Sequence, residues 1–254
     1  MLLNDKVTVV YGAAGAVGSA AARVFAEEGA TVHLVGRTRE PLERVADDIL
    51  EAGGRVEVWT LDASRPDDVD AHLDSVGRID VTLNATSLHG ELQGTPLREM
   101  DMEHFVLPTL TALRTNFAIG TAAARRMTAQ GSGVILTLST SASALSGRDR
   151  RYHATGGFGT ACAAIEEFTR SLAGEVGPHG VRVVCLRPDA LPETWGAPDD
   201  REGNETFHYM TAGTALDRMP TLRQVADAAA FAASDRAGAM TGAILNLTSG
   251  SVMH

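Results

Sequence analysis

The sequence predicts one α/β domain spanning residues 1–254, a doubly wound parallel sheet of about seven strands with helices on both faces. Three observations predict it. Apolar runs of strand length alternate with longer helical patterns along the whole chain. Several runs are nearly continuous in Val, Ile and Leu, as strands buried on both faces require. A chain of 254 residues that is 44% hydrophobic suits one large core and argues against disorder.

In chain order, the run Val-Thr-Val-Val-Tyr at 7–11 reads as the first strand, and the stretch 19–28 after its glycine-rich turn reads as the first helix. Strand 31–35 then leads to helix 40–51, and strand 56–61 to helix 66–76. The fourth strand, 79–84, is followed by a helix at 110–128. Strand 134–139 precedes helix 158–174, and strand 181–186 (Val-Arg-Val-Val-Cys-Leu) leads on to helix 222–233. The last strand is Ala-Ile-Leu-Asn-Leu at 243–247. Residues 193–220 form the one long stretch without clear periodicity, and in a compact domain such a segment reads as a lid over a substrate.

Composition narrows the function. With 22 Lys+Arg against 32 Asp+Glu the formal net charge is −10, which disfavours nucleic acid as a partner. No run approaches the ~18 apolar residues of a membrane span, and no signal-peptide pattern opens the chain. The two cysteines, Cys162 and Cys185, lie far apart, which excludes a disulfide framework and fits a reducing cytoplasm. The histidines show no metal-ligand spacing, so no metal is expected. Cys162 reads as a small buried helix residue with a nucleophile as the alternative, and the serines of 139–143 lack a hydrolase Gly-x-Ser-x-Gly setting. Lys6 is the sole lysine.

The first strand runs into Tyr11-Gly-Ala-Ala-Gly-Ala-Val-Gly18. Glycines there allow a tight turn and bring the backbone close to a pyrophosphate at a helix N-terminus. In this strand-turn-helix context the turn predicts dinucleotide binding through Gly12, Ala14, Gly15, Ala16, Val17 and Gly18, in a Rossmann fold. The second strand ends in Val35-Gly36-Arg37-Thr38-Arg39. An acidic residue here would bind the ribose 2′-OH of NAD. Arg37 instead offers a cation to the 2′-phosphate of NADP, with Thr38 beside it. The plainer alternative is a pair of solvated arginines before a helix.

These landmarks together resemble the short-chain dehydrogenase/reductase family. The turn 12–18 is similar to its Thr-Gly-x-x-x-Gly-x-Gly, with Tyr11 in place of Thr. Asp62-Ala63 resembles its adenine-contacting Asp-Val pair, and Asn84-Ala85-Thr86 a degraded Asn-Asn-Ala-Gly. Residues 169–183, Thr-Arg-Ser-Leu-Ala-Gly-Glu-Val-Gly-Pro-His-Gly-Val-Arg-Val, match its helix and following strand closely. Pro188-Asp189-Ala-Leu-Pro-Glu-Thr194 resembles its Pro-Gly-x-x-x-Thr nicotinamide loop, with Asp189 where Gly is usual. The resemblance implies NADP(H) contacts from Asp62, Ala63, Asn84, Ala85, Pro188 and Thr194. It also implies a homotetramer, or a dimer through helices 110–128 and 158–174.

The catalytic end departs from the family pattern of Asn, Ser and Tyr-x-x-x-Lys. Counting back from Thr169 puts the Tyr position at Phe158 and the Lys position at Cys162; the Asn position falls on Ala112, with Asn116 one turn later. The Ser position falls on Thr140, and Ser139 beside it is a second candidate for polarising a substrate. A displaced acid is sought in Gly147-Arg-Asp-Arg-Arg-Tyr-His153, where Tyr152 has arginines for neighbours. The same segment reads equally as a polar surface loop.

Three functions remain. The first is an NADP(H)-dependent oxidoreductase for a small carbonyl, alcohol or activated double bond. The second is an NADP-binding protein without turnover, such as a sensor or scaffold. The third is a cyclase, dehydratase or isomerase that keeps the pocket.

Overall fold

The computed structural model describes residues 1–145, 154–195 and 204–254. Seven parallel strands form one sheet: β1 (Val7–Tyr11), β2 (Thr31–Gly36), β3 (Arg55–Thr60), β4 (Val81–Asn84), β5 (Gly133–Leu138), β6 (Val181–Pro188) and β7 (Ala243–Leu247). Their order is β3-β2-β1-β4-β5-β6-β7, so the winding reverses between β1 and β4. Ligands of such sheets bind beyond the carboxyl ends of the strands at that reversal.

Helices α1 (Ala16–Glu27), α2 (Arg39–Glu51) and α7 (Leu222–Ala233) cover one face of the sheet; α3 (Pro66–Val76), α4 (Met102–Gln130) and α5 (Gly156–Val176) cover the other. The faces are separated by side-chain alternation along the strands. Val10, Leu34 and Leu83 pack with Phe25 and Leu42 on the first face, and Val9, Val35 and Ile135 pack with Leu73, Ile119 and Met127 on the second. A smaller cluster beneath the carboxyl edge joins Ala112, Ala142, Ala161, Cys162, Ile165 and Cys185.

Two expectations are corrected. The helix expected at 110–128 begins eight residues earlier, at Met102, and carries Pro108 inside it. Pro108 lies in the second turn, where its missing N–H costs the helix one backbone bond to the His104 carbonyl without ending it. The stretch 193–220, without periodicity, holds α6 (Glu205–Ala212), whose N-cap Asn204 accepts a hydrogen bond from the Phe207 N–H at 3.1 Å. A cap and eight residues are too short for a periodic signal.

Candidate functional site

The turn after β1 is shaped by close backbone approach. Gly12 sits at φ +75°, and a Cβ there would lie 2.4 Å from the Ala85 carbonyl oxygen; one at Gly18 would lie 2.3 Å from the Gly12 oxygen. Backbone bonds from Gly12 and Ala13 to Val35, and from Ala85 to Tyr11, tie the turn to β2 and β4. Helix α1 then starts with Gly15 as an N-cap that has no side-chain oxygen, and its first turn carries no acidic residue. The amides of Ala16, Val17 and Gly18 are left open at the positive end of the helix, and Ala14, Gly15 and Ala16 are exposed. This cradle suits an anionic phosphate group and rejects added side chains.

At the end of β2, Gly36 packs its bare face against Leu42, and Arg37 and Thr38 are exposed. Neighbouring cations are committed: Arg39 pairs with Glu43 at 2.7 Å and Arg44 with Glu40 at 2.8 Å. Among the described residues no carboxylate lies within ion-pairing distance of Arg37. Across the gap, Asp62 accepts from the Ser64 amide at 2.9 Å and hydroxyl at 2.8 Å. These bonds, and then the charges of Arg37 and Arg65, hold its carboxyl below the ordinary carboxylate range. Ala63, next to it, is buried.

Asn84 ends β4 buried, with its side-chain oxygen accepting from the Thr86 N–H and hydroxyl and its amide directed at Thr115, 3.4 Å away. Its side chain shapes the loop; Ala85 lies against the Gly12 turn.

Between the ends of β5 and β6 opens a cleft of about 530 Å³. Val17, from the first turn of α1, lines it. So do Thr140, Phe158, Pro188, Asp189 and Thr194, and Trp195, Asn204 and Met210 from the segment after β6. Thr140 is held in place: its hydroxyl oxygen accepts from the Ala142 amide at 3.2 Å and lies 3.5 Å from the Cys162 sulfur. Burial pushes the Cys162 thiol up to about 12, so it is a neutral packing group at physiological pH. Phe158 and Cys162 both face this region from α5, at the two positions where the sequence places the family's Tyr and Lys.

The structure brings Thr140, Pro188 and Thr194 together around the cleft and keeps Ser139 out of it. Ser139 is fully buried and gives its hydroxyl to Glu166 at 3.0 Å. Tyr152 and the rest of 146–153 lie outside the described residues. Asn116 is buried on α4 itself, its amide bonded to the Ala112 carbonyl at 2.9 Å. Among the described residues no group of three or more His, Cys, Asp or Glu is placed to hold a metal ion, and no helix is long and apolar enough to cross a membrane.

The partners of two buried acidic residues at the cleft, Glu166 and Asp189, escaped the sequence reading. Glu166 pairs with Arg187 at 3.4 Å, and Asp189 accepts from Ser141 at 2.7 Å and from Ser251. The signal was present for Glu166: it follows Cys162 by one turn on the apolar stripe of α5, where an acidic residue needs a buried partner.

The family described as Enoyl-(Acyl carrier protein) reductase matches residues 12–251. The chain belongs to the short-chain dehydrogenase/reductase family. Among its relatives, cis-4-hydroxycyclohexanecarboxylate dehydrogenase of Sinomonas cyclohexanicum is 32% identical, over 97% of this chain and 96% of its own. A 3-oxoacyl-[acyl-carrier-protein] reductase of Chlamydia muridarum is 30% identical over 98% of both. Among solved structures, a short chain dehydrogenase from Mycobacterium smegmatis superposes with a TM-score of 0.78 at 27% identity, over 97% of this chain and 93% of that one. The short-chain family is one of oxidoreductases, and the named relatives are reductases and dehydrogenases.

Proposed function

We propose that this short-chain oxidoreductase uses NADP(H) to reduce a small carbonyl compound or activated double bond, or to oxidise the corresponding alcohol. The observation that carries the reading is the position of Val17. It belongs to the open first turn of α1 and also lines the cleft that holds Thr140. One ligand can therefore rest its anionic middle on the helix and its far end beside a hydroxyl. Arg37, which forms no ion pair among the described residues and has Asp62 only across the gap, is the group that selects the 2′-phosphate, and Thr38 supports it. Asp62, Ala63, Asn84 and Ala85 form the walls on the adenosine side, and Pro188 and Thr194 those on the nicotinamide side.

The bound nicotinamide supplies or accepts hydride. The chain's own part is to hold and to polarise. The Thr140 hydroxyl donates to the substrate oxygen, and Phe158, Leu138 and Trp195 keep water away from it. Tyr152 is the phenol assigned to the proton. Residues 193–220 act as the lid.

The same reading includes self-association. Leu110, Leu113 and Phe117 project from one side of α4, the phenylalanine 61% exposed, and a second copy of the chain is the surface that would cover them. Two free and buried thiols fit a cytoplasmic protein.

A second reading rests on Phe158 and Cys162: among the described residues no phenol or ammonium faces Thr140. Binding without turnover, or non-redox chemistry such as isomerisation, would need neither. Single-turnover oxidation of bound NADPH, followed at its nicotinamide absorbance with a panel of small ketones, decides. Oxidation supports the redox function, and Tyr152→Phe should then lower turnover roughly 10²-fold, the size of a general-acid contribution. Tight binding with no oxidation, or product without oxidation, overturns it in favour of the second reading.

A further inference from the structure

We propose that Glu166 is a positioning residue that sets the orientation of Thr140, an inference that rests on the role given to Thr140 above. One carboxylate oxygen of Glu166 accepts from the Ser139 hydroxyl at 3.0 Å and from the Ser143 hydroxyl at 2.7 Å. Those two serines bracket Thr140. The Ser143 hydroxyl also lies 3.1 Å from the Thr140 carbonyl oxygen, and the Ser139 amide is bonded to the Leu186 carbonyl at 2.9 Å. The turn that carries Thr140 is thus pinned on both sides to a single buried oxygen.

The other oxygen of Glu166 faces the Arg187 guanidinium at 3.4 Å, and Arg187 is held in turn by the Asn246 side chain at 3.2 Å and the His254 backbone oxygen. Glu166 and Arg187 are both nearly inaccessible to solvent. Burying such side chains is costly unless they are hydrogen-bonded, and Glu166 and Arg187 each have more than one partner. The third serine of the run, Ser141, is taken by Asp189 at 2.7 Å. Hydroxyls at 139, 141 and 143 are all bonded to buried carboxylates. Of Thr140 and Ser141, which both line the cleft, Thr140 is the one whose hydroxyl is not given to a carboxylate. A reacting or polarising hydroxyl gains from such fixation, because misplacement by about 1 Å can cost orders of magnitude in rate.

The test compares the full-length protein with Ser139→Ala/Ser143→Ala, Ser143→Thr and Glu166→Gln. The readouts are threonine-methyl NMR and NADPH oxidation with cyclohexanone as probe ketone. In the double-alanine variant the Thr140 methyl peak should shift and broaden, while the peaks of Thr8 and Thr82, in the sheet core, stay in place. Turnover should fall roughly 10-fold with KM for NADPH within about twofold, the mark of an effect on the reacting end alone. Ser143→Thr keeps a hydroxyl and should retain the native peak, and Glu166→Gln should fall between. An unmoved Thr140 peak in the double-alanine variant, or equal shifts at Thr8 and Thr82, would overturn the proposal. If the unmodified protein oxidises no NADPH with any ketone, the redox reading fails, and the methyl spectra still decide whether Glu166 positions Thr140.

Discussion

At the scale of single residues, Arg37 and Thr140 are the side chains proposed to carry the chemistry, and their neighbours decide whether they can. Arg37 is available because Arg39 and Arg44 are spent on Glu43 and Glu40 one turn away. Replacing Arg37 with Ala should remove most of a preference for NADPH over NADH. The expected loss is on the order of 1.5–3 kcal/mol, for a charge-assisted contact. Calorimetric titration of both cofactors checks it, and equal affinities in the unmodified protein would refute the NADP assignment. The reading of Arg37 needs only local order: a strand end, a glycine, a cation and no acid. For Glu166 the sequence signals a buried acid on the apolar stripe of α5 but not its partners, since Ser139 follows β5 and Arg187 lies on β6.

At the scale of elements, most boundaries follow from local signals. Helix α7 begins at Thr221, whose hydroxyl accepts from the Gln224 amide at 3.2 Å while the Gln224 side chain accepts from the Thr221 amide at 3.2 Å. This reciprocal cap stabilises the helix that packs on α1, and through it the cradle. Thr221→Ala should cost about 1 kcal/mol, seen as a lower urea midpoint with an unchanged slope. Helix α4 shows the limit of local signals, since Pro108 hides its first two turns. The exposed face of α4 makes a prediction of its own. Phe117→Glu should convert the assembled protein to a smaller species by light scattering, and an already monomeric parent would remove this face from the proposed interface.

At the scale of the whole molecule, two histidines couple the fold to pH. His33 on β2 and His72 on α3 meet in the core beside Trp59 and Tyr11. The Trp59 indole N–H donates to His33 Nδ1 at 3.1 Å, which makes that ring neutral with its proton on Nε2. Burial lowers the pKa of His72 to about 4, and burial lowers that of His33 against the pull of Glu57. Both folded values lie below the unfolded value of 6.5. Between them the unfolded chain binds protons that the native chain does not, so this stability is complete above pH 6.5 and declines as pH falls toward 4. His72 alone should account for about 3 kcal/mol across that window, because each tenfold difference in proton affinity between the folded and unfolded chains is worth about 1.4 kcal/mol. Urea midpoints at pH ~7.5 and ~4.5 should differ, and His72→Leu should flatten the difference. A parallel pH dependence in that variant would count against the assignment.

The sequence by itself determined the alternation of strands and helices, the glycine turn before α1 and the cation after β2. Each is a contiguous signal, because parallel strands buried on both faces must be apolar and a turn where a Cβ would lie 2.4 Å from a backbone oxygen must be glycine. Only the tertiary structure decided which hydroxyl of the run 139–143 faces the cleft and what the buried charges hold. Those answers depend on side chains from β5, α5, β6 and β7 meeting at one edge of the sheet. Strands β5, β6 and β7 lie side by side and parallel, so residues that long crossover connections separate in sequence meet at their carboxyl ends.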